Sequence, residues 1–87
     1  MQTAEIASGI RTYICDRFNV PADDSDFTND VHLFEYGYVD SFGAVDLTLF
    51  VETTFEVKIS QSDMVVYPLN TINEISDFVA KRRNGEL

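Results

Sequence analysis

Residues 40–55 read DSFGAVDLTLFVETTF, and their apolar side chains recur at the spacing of an α-helix. A helical projection sorts these side chains into two stripes rather than one. The first stripe is an ordinary core-facing one and consists of Ala44, Leu47, Val51 and Phe55. The second stripe lies on another side of the helix and consists of Phe42, Val45 and Leu49. It either packs beneath the preceding segment or is left available to a partner protein, and the sequence leaves both possibilities open.

The flanking segments predict three further helices. The apolar residues of 2–18 repeat every four positions and predict a first helix. The pattern Ser60-Gln61-Ser62-Asp63 resembles a capping box and predicts a short helix, and Thr71-Ile72-Asn73-Glu74 is a capping box that predicts a last helix. The sequence therefore predicts an all-α fold: a small four-helix bundle of three main helices and one short third helix.

The segment between the first two helices, residues 19–40, has no sustained hydrophobic period and is rich in Asp, Asn and Ser. We predict a long ordered loop here, and loops of this length within a small domain are often functional. Scattered apolar side chains are expected to hold it to the core: Val20, Phe27, Val31, Leu33 and Phe34.

Length and charge restrict the possible functions. The 87 residues suffice for one domain, so we expect residues 1–87 to form a single domain. Fifteen acidic and six basic residues give a net charge of −9. Nucleic acid and anionic membranes would repel such a chain, whereas basic protein surfaces would attract it. The sequence shows neither a signal peptide nor an apolar run long enough to span a membrane, and we expect a cytoplasmic monomer.

The residues do not favour an enzyme. His32 is the only histidine, and no serine or cysteine can be paired with it from the sequence. The single cysteine, Cys15, excludes an internal disulfide and a cysteine-built zinc site.

A calcium-binding acidic module is an alternative of a different class. Residues 24–35 place oxygen-bearing side chains at positions 1, 3, 5, 7 and 12 of an EF-hand loop. However, Pro21 interrupts the helix that should enter the loop, and Tyr36-Gly37-Tyr38 interrupts the helix that should leave it. No second loop accompanies it, so we assign no metal ligands.

Ser41 is the main candidate for a functional residue. It stands beside Asp40 at the start of the second helix, and either residue could cap that helix. The free N–H groups and the positive end of the helix dipole favour a phosphate group at this point. Gly43 is a poor helix former in the first turn, and we expect it to leave open space beside Ser41. A serine in this setting can carry a phosphodiester.

The stretch Gly37-Tyr38-Val39-Asp40-Ser41-Phe42 resembles the signature of the acyl carrier proteins and related phosphopantetheine-binding carrier domains. Their signature is Asp-Ser-Leu at the start of the second helix, after a short glycine-containing turn. The resemblance continues through residues 45–59 and 71–78 and extends over essentially the whole chain.

The resemblance implies that Ser41 carries 4′-phosphopantetheine, transferred from coenzyme A by a phosphopantetheinyl transferase. The thiol of this arm would bear an acyl or aminoacyl thioester, which a ligase loads and which downstream transferases or synthases of fatty-acid or secondary-metabolite biosynthesis receive. It also implies docking of the second helix on basic enzyme surfaces, through Asp40, Phe42, Asp46, Leu49 and Glu52. The variant Asp40-Ser41-Phe42-Gly43 is similar to D-alanyl carrier proteins and specialised acyl carriers, so the cargo stays open.

Overall fold

The computed structural model of the protein describes residues 2–87, which form four α-helices. Helix α1 spans Thr3–Arg17, α2 spans Ser41–Phe55, α3 spans Gln61–Val66 and α4 spans Ile72–Arg83. Residues 2–87 contain no β-strand. The predicted all-α fold is confirmed, with three main helices, a short third helix and a long connection between α1 and α2. None of the helices in this range is long and apolar enough to cross a membrane.

Side-chain caps fix where three of the helices begin. Asp40 caps α2, because its Oδ1 accepts a hydrogen bond from the Gly43 N–H at 2.7 Å. Ser60 and Thr71 open α3 and α4 with complete capping boxes, as predicted. Of the two caps considered for α2, the structure therefore selects Asp40 and leaves Ser41 as the first helical residue.

The core lies between α1, α2, α4 and the long loop, and α1 packs mainly against α4. The predicted core stripe of α2 is buried at Leu47, Val51 and Phe55. Helix α2 meets α1 partly through the stacked rings of Tyr13 and Phe50, whose centroids are 4.0 Å apart. In contrast to the other three helices, α3 contributes no buried residue.

The long loop is tied to both α1 and the start of α4. The Arg11 guanidinium of α1 donates to the Phe27 carbonyl at 2.7 Å and to Asn29 Oδ1 at 3.1 Å. On the other side, the Asn73 N–H donates to the Asn29 carbonyl, and the Leu33 N–H donates to the Asn70 carbonyl. These bonds satisfy polar groups of a segment that no helix or sheet ladder supports.

Apolar anchors hold the same loop to the core, with one correction to the prediction. Val20, Phe27 and Leu33 are buried, as expected. Phe34 is 36% exposed, so its prediction as an anchor is wrong. Val39 takes that part instead and is 1% exposed, because the chain turns between the two residues and directs Val39 inward.

Candidate functional site

Ser41 lies exposed at the first position of α2. The Asp40 carboxylate caps the helix, so the Ser41 hydroxyl is not needed for that role. The first intrahelical bond runs from the Ala44 N–H to the Asp40 carbonyl at 2.8 Å. The N–H groups of Ser41 and Phe42 precede that bond and point out of the helix end. An accessible hydroxyl beside these donors suits a phosphodiester, whose negative charge the helix end favours.

The turn that precedes Ser41 is held from inside. The Val39 N–H donates to the Leu33 carbonyl at 3.0 Å, and the Val39 side chain is buried. The Tyr38 hydroxyl donates to Asp24 Oδ2 at 3.2 Å, and burial together with this carboxylate raises the pKa of the phenol. Val39 is buried and Ser41 is exposed, so the exposed serine directly follows a turn that is anchored in the core.

Gly43 has a different role from the one predicted. It is buried, and a Cβ atom there would lie 2.6 Å from Cε1 of Phe18 and 3.2 Å from Oδ1 of Asp40. The expectation of open space beside Ser41 is therefore wrong. The glycine instead allows the ring after α1 to approach the start of α2 while the Asp40 cap stays in place.

The second apolar stripe of α2 is exposed, which settles the alternative that the sequence left open. Phe42, Val45 and Leu49 are 86%, 60% and 55% exposed. We call these three residues the apolar α2 stripe. It begins at the residue after Ser41 and follows the helix away from it, so any protein that reaches Ser41 along α2 meets it.

The two acidic residues within α2 both have partners inside the protein. Asp46 forms an exposed ion pair with Arg17 at 2.7 Å. Glu52 is half-buried, and its Oε2 accepts the Ile59 N–H at 2.8 Å. Sequence reasoning assigned both to partner docking and gave no sign of these bonds, because their partners come from other elements.

A cleft of about 520 Å³ lies between α2 and α3. Its walls are largely apolar and include Leu47 and Val51 of α2, Met64 and Val65 of α3, and Phe34 of the long loop. The sequence predicted each helix but not this cleft, because no local pattern fixes the distance between two helices.

The EF-hand hypothesis receives no support. Helix α1 ends at Arg17 and α2 begins at Ser41, so neither helix adjoins residues 24–35. The side chain of Asp24 accepts the Asp26 N–H, and that of Asp30 accepts a bond from Asn73. Across residues 2–87, no three His, Cys, Asp or Glu side chains come together in a group that could hold a metal ion.

The contacts of His32 and Cys15 indicate structural roles. The Nδ1 atom of His32 accepts the Glu35 N–H at 3.0 Å and stabilises a turn of the loop. Cys15 is half-buried against the core.

The family model described as phosphopantetheine attachment site matches residues 8–79, a range that includes Ser41. The chain therefore belongs to the phosphopantetheine-binding carrier protein family. Its prosthetic group is covalently bound 4′-phosphopantetheine, and it is a carrier rather than an enzyme. Such carriers interact with a phosphopantetheinyl transferase and with ligases.

Two curated relatives are D-alanyl carrier proteins. The one from Bacillus subtilis (strain 168) is 40% identical over 52 residues, which cover 55% of this chain and 67% of that protein. The one from Streptococcus uberis (strain ATCC BAA-854 / 0140J) is 36% identical over 56 residues, which cover 64% of this chain and 71% of that protein.

Proposed function

We propose that Ser41 is the attachment residue and that the protein carries an aminoacyl group, D-alanine or one of similar size, as a thioester. The observation that carries the assignment of Ser41 is its exposed position at the first residue of a 15-residue helix, directly after the Asp40 cap. The same observation explains how the chain can expose the hydroxyl without losing a structural bond. For this proposal we treat residues 1–87 as a single carrier domain.

The other serines fit the role less well. Ser76 is buried and donates to the Ile72 carbonyl, and the Ser60 hydroxyl is used in the α3 capping box. The remaining three are exposed but lie in the middle of α1, in the long loop and within the six-residue α3: Ser8, Ser25 and Ser62.

The chain contributes position and electrostatics to the site. Asp40 fixes the first turn of α2 and leaves the N–H groups of Ser41 and Phe42 without an intrahelical acceptor, so they could donate to a phosphodiester on Ser41. A negative group at an exposed helix N-terminus is favoured by about 0.3–1 kcal/mol. The thiol of the bound arm supplies the thioester, and the flexible tether raises the effective concentration of the cargo at a docked enzyme.

The cargo assignment rests on the relatives. Both are D-alanyl carrier proteins by name, and their identities of 40% and 36% support an aminoacyl cargo for this chain. The pairing of Phe42 with Gly43 after Ser41 agrees with that choice, because it resembles D-alanyl carriers at the same motif.

One observation favours a second candidate, an acyl carrier. The cleft between α2 and α3 has a volume of about 520 Å³ and a largely apolar lining, which suits a hydrocarbon chain better than an amino acid. An apolar chain that entered it would leave water and gain roughly 0.8 kcal/mol for each buried methylene group.

The attachment is tested by incubating the purified chain with coenzyme A, magnesium and a broad-specificity phosphopantetheinyl transferase. Intact mass spectrometry should show one phosphopantetheine on the wild type and on Ser62→Ala, but none on Ser41→Ala. Ser62 is a matched control because it is also an exposed serine in the first turn of a helix. An unmodified wild type, or a modified Ser41→Ala, would overturn the assignment.

The cargo is tested on the modified protein with a D-alanine-activating ligase and ATP, in parallel with an acyl-activating ligase and fatty acids of increasing length. The aminoacyl proposal expects a hydroxylamine-sensitive D-alanyl mass increment and slower loading of fatty acids. Efficient fatty-acid loading without D-alanyl transfer would replace it with the second candidate.

A further inference from the structure

Helix α3 is attached to the rest of the protein in an unusual way. Gln61–Val66 contains no buried residue, so the side chains of the helix itself do not anchor it in the core. The residues on either side, Ile59 and Tyr67, are half-buried and pack against the core. Its apolar side chains are exposed, with Met64 at 48%, Val65 at 86% and Val66 at 67%. The same three side chains line the cleft between α2 and α3. The position of α3 therefore sets the width of the cleft, while few apolar contacts set the position of α3.

Arg82 of α4 makes side-chain hydrogen bonds both to α3 and to the segment before it, which Glu52 of α2 also holds through the Ile59 N–H. Arg82 Nη2 donates to Asp63 Oδ1 at 2.8 Å, and Nη1 donates to the Lys58 carbonyl at 3.4 Å. One side chain therefore contacts both α3 and the segment that leads into it. Asp63 Oδ2 meanwhile accepts the Ser60 N–H at 2.9 Å, so the bonded carboxylate is also the one that closes the α3 capping box.

The arginine is itself fixed against the core side of α4. Its guanidinium lies over the Phe78 ring at 4.9 Å from the centroid, and Phe78 is buried. The side chains of Asp63 and Arg82 are only 13% and 27% exposed, so water screens this pair less than the other ion pairs of the protein. Nε of Arg82 is buried without a hydrogen-bond acceptor. This costs desolvation energy.

We propose that Arg82 is a positioning residue that, through Asp63, holds α3 in place and thereby sets one wall of the cleft between α2 and α3. The inference concerns the chain before any modification and does not depend on Ser41 as the attachment residue. Loss of the pair leaves α3 with its capping box and with the contact between the Tyr67 and Phe78 rings, but without its ion pair to α4. The helix then opens more often, and the cleft with it.

The test compares amide hydrogen exchange in the full-length unmodified chain for wild type, Arg82→Gln and Lys81→Gln. Lys81 is a matched control, because it is the preceding residue of α4 and its ion pair with Asp77 at 3.7 Å is exposed and lies within the helix. In Arg82→Gln we expect exchange of the α3 amides, including those of Met64 and Tyr67, to become about tenfold faster. This is the loss expected for a charge-assisted hydrogen bond. The amides of α1 should change much less, and Lys81→Gln should resemble the wild type.

Two further variants keep the inference testable. Asp63→Asn should accelerate the same α3 amides, and the double variant Asp63→Asn/Arg82→Gln should add little to either single change. Arg82→Lys, which keeps a cation, should recover part of the protection even if Arg82→Gln folds poorly. Unchanged α3 exchange in Arg82→Gln, equal acceleration of α1 and α3, or additive effects in the double variant would each overturn the proposal.

Discussion

The Asp40 carboxylate was predicted both as a docking group and as a possible cap of α2, and the structure shows the cap. Two substitutions separate these roles. Asp40→Ala removes the 2.7 Å bond to the Gly43 N–H together with a negative charge at the positive helix end. Asp40→Asn keeps an oxygen that can accept the same bond and removes only the charge. The first change therefore tests cap and charge together, and the second tests charge alone.

The expected magnitudes differ. Loss of an N-cap side chain costs about 1 kcal/mol, and in a domain of this size 1 kcal/mol lowers Tm by about 4–8 °C. Asp40→Asn loses only the charge–dipole part, about 0.3–1 kcal/mol at low ionic strength and less in salt. Asp40→Ala should therefore melt about 4–8 °C below the wild type, and Asp40→Asn should lie between them.

Thermal unfolding followed by far-UV circular dichroism gives the stability of each variant, and mass spectrometry gives the rate at which the transferase modifies it. If the charge also attracts a basic enzyme, Asp40→Asn should be modified more slowly than the wild type at low salt and equally fast at high salt. A Tm of Asp40→Ala equal to that of the wild type would refute the cap. Equal Tm values for the two variants, both lowered, would assign the stability to the charge and not to the bond.

Three further predictions concern packing, acid stability and docking. Gly43→Ala should destabilise the protein in urea unfolding, because contact with Phe18 costs about 1–3 kcal/mol and exceeds the helix-propensity gain of about 1 kcal/mol. Gly9→Ala, whose new Cβ would lie at 3.4 Å from the Phe55 ring, should instead be neutral or stabilising. The hydrogen bonds from the Ser60 N–H and from Arg82 lower the pKa of Asp63 in the folded protein. The Asp63 carboxylate should therefore stabilise the fold fully above its unfolded pKa of about 3.9, and this stabilisation should be lost as the pH falls through the lower folded pKa. Urea unfolding from neutral to acidic pH should show that the free energies of unfolding of wild type and Asp63→Asn converge only in that acidic range. A difference in free energy that does not depend on pH would contradict this role of the Asp63 charge. Asp46→Lys should slow modification by the transferase at low salt more than Asp77→Lys does. Both substitutions reverse the charge of an exposed, ion-paired aspartate, but only Asp46 lies on α2. Equal modification rates for the two variants would show that Asp46 has no role in docking.

The parts of the structure that sequence reasoning predicted are those determined by neighbours along the chain. The capping boxes of Ser60 and Thr71 involve residues three positions apart, and both are present. The core stripe of α2 follows from helical periodicity alone, and its members Leu47, Val51 and Phe55 are buried. The exposure of Ser41 is consistent with the role that the motif predicted.

The errors concern contacts between distant segments. Nothing near Gly43 reveals that the Phe18 ring comes within reach of it, because the approach depends on how α1 crosses α2. In the aperiodic loop, no repeat distinguishes the exposed Phe34 from the buried Val39. The bonds of Glu52 to Ile59 and of Asp63 to Arg82 likewise join elements whose relative placement only the folded chain defines.

The bonds of the long connection have a consequence for cutting the chain. Gly37 sits at an exposed turn with φ of 77°, and apart from the glycine itself and its two chain neighbours nothing lies within 4 Å of the place where its Cβ would be. Upstream of that turn, the connection is bonded to α1 through Arg11 and to α4 through Asn73. If the chain were cut at Gly37, the N-terminal fragment would therefore keep hydrogen bonds to the C-terminal fragment. The two fragments, expressed separately, should associate into a split protein, and their association can be measured as a binding reaction.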